Sequence, residues 1–210
     1  MPDWKIEDSY NGKVCGVDEA GRGPWVGPVV AGAVMFLHRE INPELLKSLN
    51  DSKKLTAKKR EVLYDMLLAE AQKGNLVYGI AEASAQEIDE LNILQATFLA
   101  MHRAVEKLSV KPDFAIIDGN RLPQSFDCPA ACYIGGDGLA YSIAAASILA
   151  KVYRDTLMQD MAKQYPGYGF EKNAGYGTKD HIAALEKYGI TPQHRRSYRP
   201  IKEIIEAKNN

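Results

Sequence analysis

Residues 14–28 read VCGVDEAGRGPWVGP, an apolar run followed by two acids and a turn rich in glycine and proline. The first four residues are typical of a short buried strand, which the glycines and the first proline end. Neighbouring side chains of a regular strand point to opposite faces, so Asp18 and Glu19 share one site only where the strand gives way to irregular backbone. The segment therefore indicates either an acidic pair that shares a site at the end of a strand or an acidic pair on a solvated turn.

The bulk properties favour one compact domain. The chain has 210 residues, of which 46% are hydrophobic, enough for a sizeable core. No stretch reaches the roughly 18 consecutive apolar residues of a membrane span, and the first residues lack the pattern of a signal peptide. Three cysteines without zinc-like pairing predict free thiols in a reducing compartment. We therefore expect a cytoplasmic protein that does not contact a membrane.

The net charge of −1 neither favours nor excludes nucleic acid as a partner, but the basic residues are clustered. One cluster lies at residues 53–60 and the other at residues 195–199. Each cluster is by default the solvated face of a helix. Only convergence of both around one groove would make them a track for phosphate groups.

Hydrophobic periodicity predicts strands that alternate with helices, the pattern of an α/β protein. The predicted strands cover residues 14–17, 26–37, 76–83, 114–117 and 133–134. The predicted helices cover residues 43–49, 56–73, 84–108, 139–164 and 178–189, with a last helix from residue 200. The helix over 84–108 starts at a capping box and continues as one long amphipathic element.

Two further acids lie at the ends of predicted elements. Asp118 lies at the end of the fourth strand, and Asp137 opens a helix within residues 135–138. An aspartate before a glycine is by itself usually turn chemistry. Asp155 is the alternative to Asp137 as the fourth acid of a shared site. It falls about four turns into the helix, however, so we interpret it as a helix-surface ion-pair partner.

Several stretches, in this order along the chain, resemble the motifs of the type 2 ribonucleases H, the ribonuclease HII family. They are residues 18–31, 51–55, 116–119, 136–137 with 144–151, 175–178 and 194–197. The resemblance implies the ribonuclease H-like fold, a central mixed five-stranded sheet flanked by helices. It also implies that residues 1–210 form one domain, in which residues 165–210 are a small helical extension that binds substrate.

The resemblance implies a metal-dependent endonuclease site. Its catalytic and metal-binding residues would be Asp18, Glu19, Asp118 and Asp137. Four such carboxylates carry a charge of about −4 and require cations. The resemblance therefore implies two divalent ions, and oxygen ligands favour Mg²⁺ or Mn²⁺.

The resemblance also implies the substrate contacts. The turn that contacts the ribose 2′-hydroxyl corresponds to Gly21, Arg22 and Gly23, and the tyrosine that assists it corresponds to Tyr176. Phosphate contacts are expected from Lys53, Arg195 and Arg196. The expected reaction is cleavage of the RNA strand of RNA-DNA hybrids and cleavage 5′ of ribonucleotides embedded in duplex DNA, giving 3′-hydroxyl and 5′-phosphate ends, by a monomer.

The sequence departs from the common family pattern at two positions. Gly135 and Ala174 stand where many members have lysine, which puts substrate affinity in doubt rather than the acidic site. The type 3 ribonucleases H are a related family, but they carry an extra N-terminal domain. Two further functions are alternatives. A non-catalytic module that binds RNA-DNA hybrids would lack at least one of the four acids, all of which are present, and a metal-dependent resolvase on a similar fold would act on branched DNA without requiring a 2′-hydroxyl.

Overall fold

The computed structural model describes residues 1–49, 55–123, 126 and 128–209, and Lys53 therefore lies outside the described residues. Within them, one sheet has the strand order β3-β2-β1-β4-β5. Its strands are β1 Val14–Ala20, β2 Val29–Phe36, β3 Leu76–Ala83, β4 Phe114–Asp118 and β5 Ala130–Tyr133. The pairs β1–β2 and β2–β3 are antiparallel, whereas β1–β4 and β4–β5 are parallel, so the predicted mixed sheet is confirmed.

Helices cover both faces of this sheet. They are α1 Lys5–Asp8, α2 Pro43–Ser48, α3 Ala57–Gln72, α4 Ala85–Leu91, α5 Ile93–Glu106, α6 Tyr141–Gln164, α7 Phe170–Asn173, α8 Lys179–Tyr188 and α9 Arg199–Asn209. Helix α5 packs on one face, while α6, α2 and α3 pack on the other. Among the helices of the described ranges, none is long and apolar enough to cross a membrane.

Helix α6 lies unusually close to the sheet because small residues meet across the contact. Its residues 142–150 are buried, as the run of alanines and serines predicts. They face glycines in the two central strands. A Cβ atom added to Gly16 would lie 2.3 Å from the Ile143 nitrogen, and one added to Gly32 would lie 2.5 Å from the Ala146 oxygen. Only glycine at these two strand positions permits this approach.

The boundaries of several elements differ from those that periodicity predicts. The predicted helix over 84–108 is wrong, because Asn92 has φ 72° and separates α4 from α5. The Asn92 side chain accepts hydrogen bonds from the Leu94 and Gln95 amides and so starts a new helix. Strand β5 ends at Tyr133 instead of covering residues 133–134, and the short helices α1 and α7 were not predicted.

The residues after α6 form a helical C-terminal part that shares a core with the turn after β1. This core joins Phe170, Leu185 and Ile201 to Val26 and to Met158 of α6. The C-terminal part is therefore packed directly against the glycine-rich turn that the sequence singles out.

Candidate active site at the carboxyl ends of strands β1 and β4

Parallel pairing of β1 with β4 brings two aspartates together. Val17 pairs with Ile117, so Asp18 and Asp118 follow as neighbours on the face that packs against α6. Asp18 is buried, with 4% of its surface exposed. The Asp118 Oδ1 atom accepts a hydrogen bond of 2.7 Å from the Gly136 amide, which fixes that carboxylate at the start of the α6 segment.

The electrostatic environment of Asp18 disfavours its charged form. Burial raises its pKa well above the usual value, and the charges of Glu19 and Asp118 raise it further. Hydrogen bonds from Ser147 and from the Glu19 amide act in the opposite direction but are weaker. A buried carboxylate that faces like charges in this way is stabilised by a cation.

Glu19 does not lie beside Asp18 in the way that the sequence predicts. The prediction places irregular backbone at the two acids, but β1 continues through both and ends at Ala20, so successive side chains alternate between faces. Glu19 forms an ion pair of 3.4 Å with Arg22. It lines a cavity of about 380 Å³ whose wall also includes Asp118.

No group of three or more Asp, Glu, His or Cys side chains within the described ranges is arranged so that it could hold a metal ion. The types of donor nevertheless suit Mg²⁺ or Mn²⁺, because Asp18, Glu19 and Asp118 offer oxygen atoms only.

Asp137 and Asp155 have different environments. Asp137 is buried in the 3-10 turn Gly136–Gly138, and the amide of the preceding residue, Gly136, holds Asp118. Asp155 accepts a hydrogen bond of 2.5 Å from Lys151 and lies 3.7 Å from Arg60. The prediction that Asp155 is an ion-pair partner on the helix surface is confirmed.

The turn at residues 21–23 and Tyr176 lie close together. Gly21 has φ +95°, a conformation that glycine adopts readily. A Cβ atom added to Gly23 would lie 3.3 Å from the Tyr176 ring. Tyr176 is 50% exposed, and Arg22 and Gly23 are also exposed. The two elements that the family resemblance assigns to sugar recognition therefore form one accessible surface.

Two of the expected phosphate contacts have opposite environments. Arg195 is fully buried and its guanidinium group donates to backbone carbonyls, so the prediction that it contacts phosphate is wrong. The error arose because a run of basic residues carries no information about which side chain points inward. The neighbouring Arg196 is exposed, and its backbone amide donates a hydrogen bond to Asp89.

A chain of hydrogen bonds supports Tyr176 from beneath, through two buried histidines that sequence reasoning left without a role. The Thr191 amide donates to His194 Nδ1 at 2.9 Å, so the proton of neutral His194 is on Nε2. That proton is directed at His181 Nε2, 3.1 Å away. His181 Nδ1 then donates to the Tyr176 carbonyl at 3.0 Å. The chain requires both imidazoles to be neutral.

We expect acid to destabilise the protein through this pair. Burial, with a smaller contribution from His181, lowers the pKa of His194 from 6.5 to about 4. Below pH 6.5 His194 therefore binds a proton in the unfolded chain, whereas in the folded chain it binds one only below about pH 4. The free energy of unfolding should fall across that window by about 3 kcal/mol. Urea unfolding at a series of pH values measures the fall.

His194→Gln removes this titration, so its free energy of unfolding should vary less with pH over the same window. His38→Gln is the matched control, because His38 is exposed. An equal pH dependence in wild type and His194→Gln would contradict the prediction.

The two departures from the family pattern both have left-handed backbone. Gly135 has φ +69° and Ala174 has φ +48°. A lysine at position 135 would have to adopt a conformation that residues with a Cβ atom rarely take. Glycine at this position therefore suits the local backbone that leads into Asp137.

Comparison with known proteins gives consistent matches over almost the whole chain. The model of the family described as Ribonuclease HII matches residues 15–201. Ribonuclease HII of Rhodospirillum rubrum is 53% identical over 205 residues, covering 98% of this chain and 92% of that protein. Ribonuclease HII of Ruegeria pomeroyi is 54% identical over 209 residues, covering 98% of this chain and 86% of that protein.

Solved structures share the fold. Ribonuclease H2 from Pyrococcus horikoshii OT3 has a TM-score of 0.74 at 27% identity, covering 94% of this chain and 99% of that chain. Bst-RNase HIII, solved in complex with Mn²⁺, has a TM-score of 0.68 at 18% identity, covering 94% of this chain and 71% of that chain. The second likeness concerns the fold alone. The predicted ribonuclease H-like fold is confirmed.

Proposed function

The chain belongs to the ribonuclease HII family, and from this premise we propose that it cuts duplex DNA on the 5′ side of an embedded ribonucleotide as well as the RNA strand of RNA-DNA hybrids. Membership makes it a nuclease of the hydrolase class. The products would carry 3′-hydroxyl and 5′-phosphate ends. The observation that carries the proposal is the group of acids at the ends of β1 and β4 beside a turn that lies close to Tyr176.

Asp18, Glu19, Asp118 and Asp137 are the proposed metal ligands. The raised pKa of Asp18 supports a cation at this place, because a divalent ion would offset the repulsion from Glu19 and Asp118. Two ions of Mg²⁺ or Mn²⁺, when bound, would supply an activated water and stabilise the leaving 3′ oxygen. The chain itself orients the ligands: the Gly136 amide holds Asp118, and Ser147 holds Asp18.

Selectivity for a ribonucleotide has to come from its 2′-hydroxyl, because an oxygen-ligated metal site does not distinguish the two sugars. The backbone of Gly21, Arg22 and Gly23 is the proposed contact, with the Tyr176 hydroxyl completing it. The short distance between Gly23 and the Tyr176 ring supports a single recognition surface. Arg196, whose side chain is exposed, is the proposed phosphate contact, and Lys53 has the same proposed role.

The remaining proposals concern the whole protein. We infer that residues 165–210 act as the substrate-binding extension of a single domain, since α8 and the loop before it carry and support Tyr176. A monomer in the cytoplasm is the proposed working state. Light scattering of the purified chain would check the mass.

Cleavage of a labelled DNA duplex with one ribonucleotide, beside an all-DNA duplex and a long RNA-DNA hybrid, tests the proposal. With Mg²⁺ or Mn²⁺ we expect cuts 5′ of the ribonucleotide and throughout the hybrid, and we expect no cuts in the all-DNA duplex or in EDTA. Binding of the hybrid without cleavage would favour the non-catalytic module instead. Cleavage of branched all-DNA substrates would favour a resolvase.

Tyr176→Phe should lower kcat/KM on the single-ribonucleotide duplex about tenfold, since the lost hydroxyl would bond the 2′-hydroxyl only where a ribose is present. Tyr188→Phe is the matched control, because Tyr188 is 51% exposed on the same C-terminal part. Equal activities of the two variants on this duplex would remove Tyr176 from the proposed recognition surface.

A further inference from the structure

Two arginines are buried where the glycine-rich turn meets α6 and the C-terminal part. Arg154 on α6 is 1% exposed, and Arg195 before α9 is fully buried. Burial lowers the pKa of both, that of Arg154 to about 10, and for Arg154 the charge of Arg195 adds to the effect. Carbonyl dipoles compensate a buried cation less completely than a carboxylate does, so an apolar side chain would fill either place at lower cost.

The hydrogen bonds of Arg195 go to the turn itself. Its Nη2 atom donates to the Gly21 carbonyl at 2.6 Å and its Nη1 atom donates to the Arg22 carbonyl at 2.9 Å. Its Nε atom donates to the Gly27 carbonyl at 2.9 Å. The Tyr198 hydroxyl accepts from Arg195 Nη1 and also donates to the Arg22 carbonyl. The carbonyl groups at both ends of the turn are thus drawn inward.

The hydrogen bonds of Arg154 join the turn to the Tyr176 loop. Its Nη2 atom donates to the Val26 carbonyl at 3.1 Å, and its Nε atom donates to the Pro28 carbonyl at 3.2 Å. Its Nη1 atom donates to the Ala174 carbonyl at 3.1 Å, two residues before Tyr176. One planar guanidinium group therefore fixes the distance between the two segments.

The backbone of Gly21 rests on Arg154. A Cβ atom added to Gly21 would lie 2.0 Å from Arg154 Nε, closer than any side chain permits. In a trans peptide unit the carbonyl and the N–H of the next residue point in opposite directions, and the described chain has no cis peptide bond. Because Arg195 holds the Gly21 and Arg22 carbonyls inward, the amides of Arg22 and Gly23 point outward.

We propose that Arg154 and Arg195, which we call the arginine clamp, are positioning residues for ribonucleotide recognition. The clamp turns the Arg22 and Gly23 amides toward the ribose and sets their distance from Tyr176. This inference rests on the proposed function, because it assigns the selectivity of that reaction to two side chains that do not touch the substrate. The clamp lies behind the recognition surface, and its hydrogen bonds go to none of the proposed metal ligands.

Arg154→Lys tests the clamp because lysine keeps the charge but offers a single nitrogen, which is unable to reach three carbonyls in a plane. We expect kcat/KM on the single-ribonucleotide duplex to fall about tenfold relative to kcat/KM on a long hybrid, since misplacement of one contact matters most where only one ribose is present. A merely structural role would lower both values equally and leave their ratio unchanged.

Arg103→Lys is the matched control. Arg103 also joins two elements, through the Glu82 carbonyl and the Glu87 carboxylate, but it lies on α5. For Arg103→Lys, the ratio of kcat/KM on the single-ribonucleotide duplex to kcat/KM on the long hybrid should equal that of wild type. A fall in the ratio for Arg103→Lys as large as for Arg154→Lys would overturn the inference.

If Arg154→Lys does not fold, Tyr198→Phe tests the role of the arginine clamp instead. It removes the hydroxyl that binds both Arg195 and the Arg22 carbonyl and leaves the guanidinium groups in place. We expect a fall in the same ratio of about threefold, consistent with loss of one hydrogen bond. If wild type cleaves the single-ribonucleotide duplex and Tyr198→Phe leaves the ratio of the two kcat/KM values unchanged, the inference is overturned and the proposed function stands. If wild type does not cleave this duplex, the proposed function itself is refuted.

Discussion

Replacing Asp18 by asparagine is expected to abolish cleavage and, at the same time, to make the folded protein more stable. Asparagine keeps the shape of the side chain and can still accept the hydrogen bond from the Glu19 amide. It removes one of the proposed metal-binding charges, so kcat/KM should fall about a thousandfold or more. It also removes the buried negative charge that faces Glu19 and Asp118. The free energy of unfolding should rise by about 1 kcal/mol.

Urea unfolding in EDTA measures the stability change without any contribution from bound metal. Asp155→Asn is the matched control, because it removes a carboxylate from α6 that is paired with Lys151 and Arg60. It should retain activity and lose a little stability, the opposite of Asp18→Asn on both measurements. If Asp18→Asn were active, Asp18 would not be a metal ligand, and if it were less stable than wild type in EDTA, the charge of Asp18 would not destabilise the folded protein.

Gly16→Ala is expected to destabilise the protein strongly. The added Cβ atom would lie 2.3 Å from both the Ile143 nitrogen and the Ser142 carbonyl carbon, which are backbone atoms of α6. No flexible side chain can move aside, so the helix has to shift away from β1. We expect a loss of about 3 kcal/mol or more, a large share of the roughly 5–15 kcal/mol that stabilises a typical domain.

Gly138→Ala provides the comparison for this experiment. A Cβ atom at Gly138 would meet nothing within 4 Å, and its backbone is not left-handed. Its urea midpoint should stay close to that of wild type, whereas the midpoint of Gly16→Ala should fall steeply. Similar midpoints for the two variants would show that α6 can move away from the sheet at little cost.

Local patterns predicted the parts of the site that lie within one segment. The strand before Asp18, the strand before Asp118 and the small-residue face of α6 could each be predicted from a short window of sequence. The break at Asn92 escaped prediction because the apolar spacing continues across it, while the change of φ leaves no mark in periodicity. Burial of Arg195 escaped prediction for a different reason: it depends on contacts with residues far away in the chain.

Arg154 shows how such a residue could be found. It continues the inward-facing stripe of α6 at the spacing set by Ala150 and Met158, both of which are buried. A charged residue on an apolar stripe is uncommon and indicates a buried polar contact. The identity of that contact, the Val26, Pro28 and Ala174 carbonyls, depends on how distant segments pack and lies outside the reach of pattern reasoning.

The hydrogen bonds of Arg195 span 168, 173 and 174 residues of sequence. On a ribosome that adds about 5–20 residues per second, the turn at Gly21 would therefore be synthesised roughly 8 to 35 seconds before its guanidinium partner. During that interval β1, β2 and β3 can already pair, and the acidic residues of β1 are already in place. A nascent chain would thus contain its proposed metal ligands before it could hold the turn that is proposed to contact the ribose.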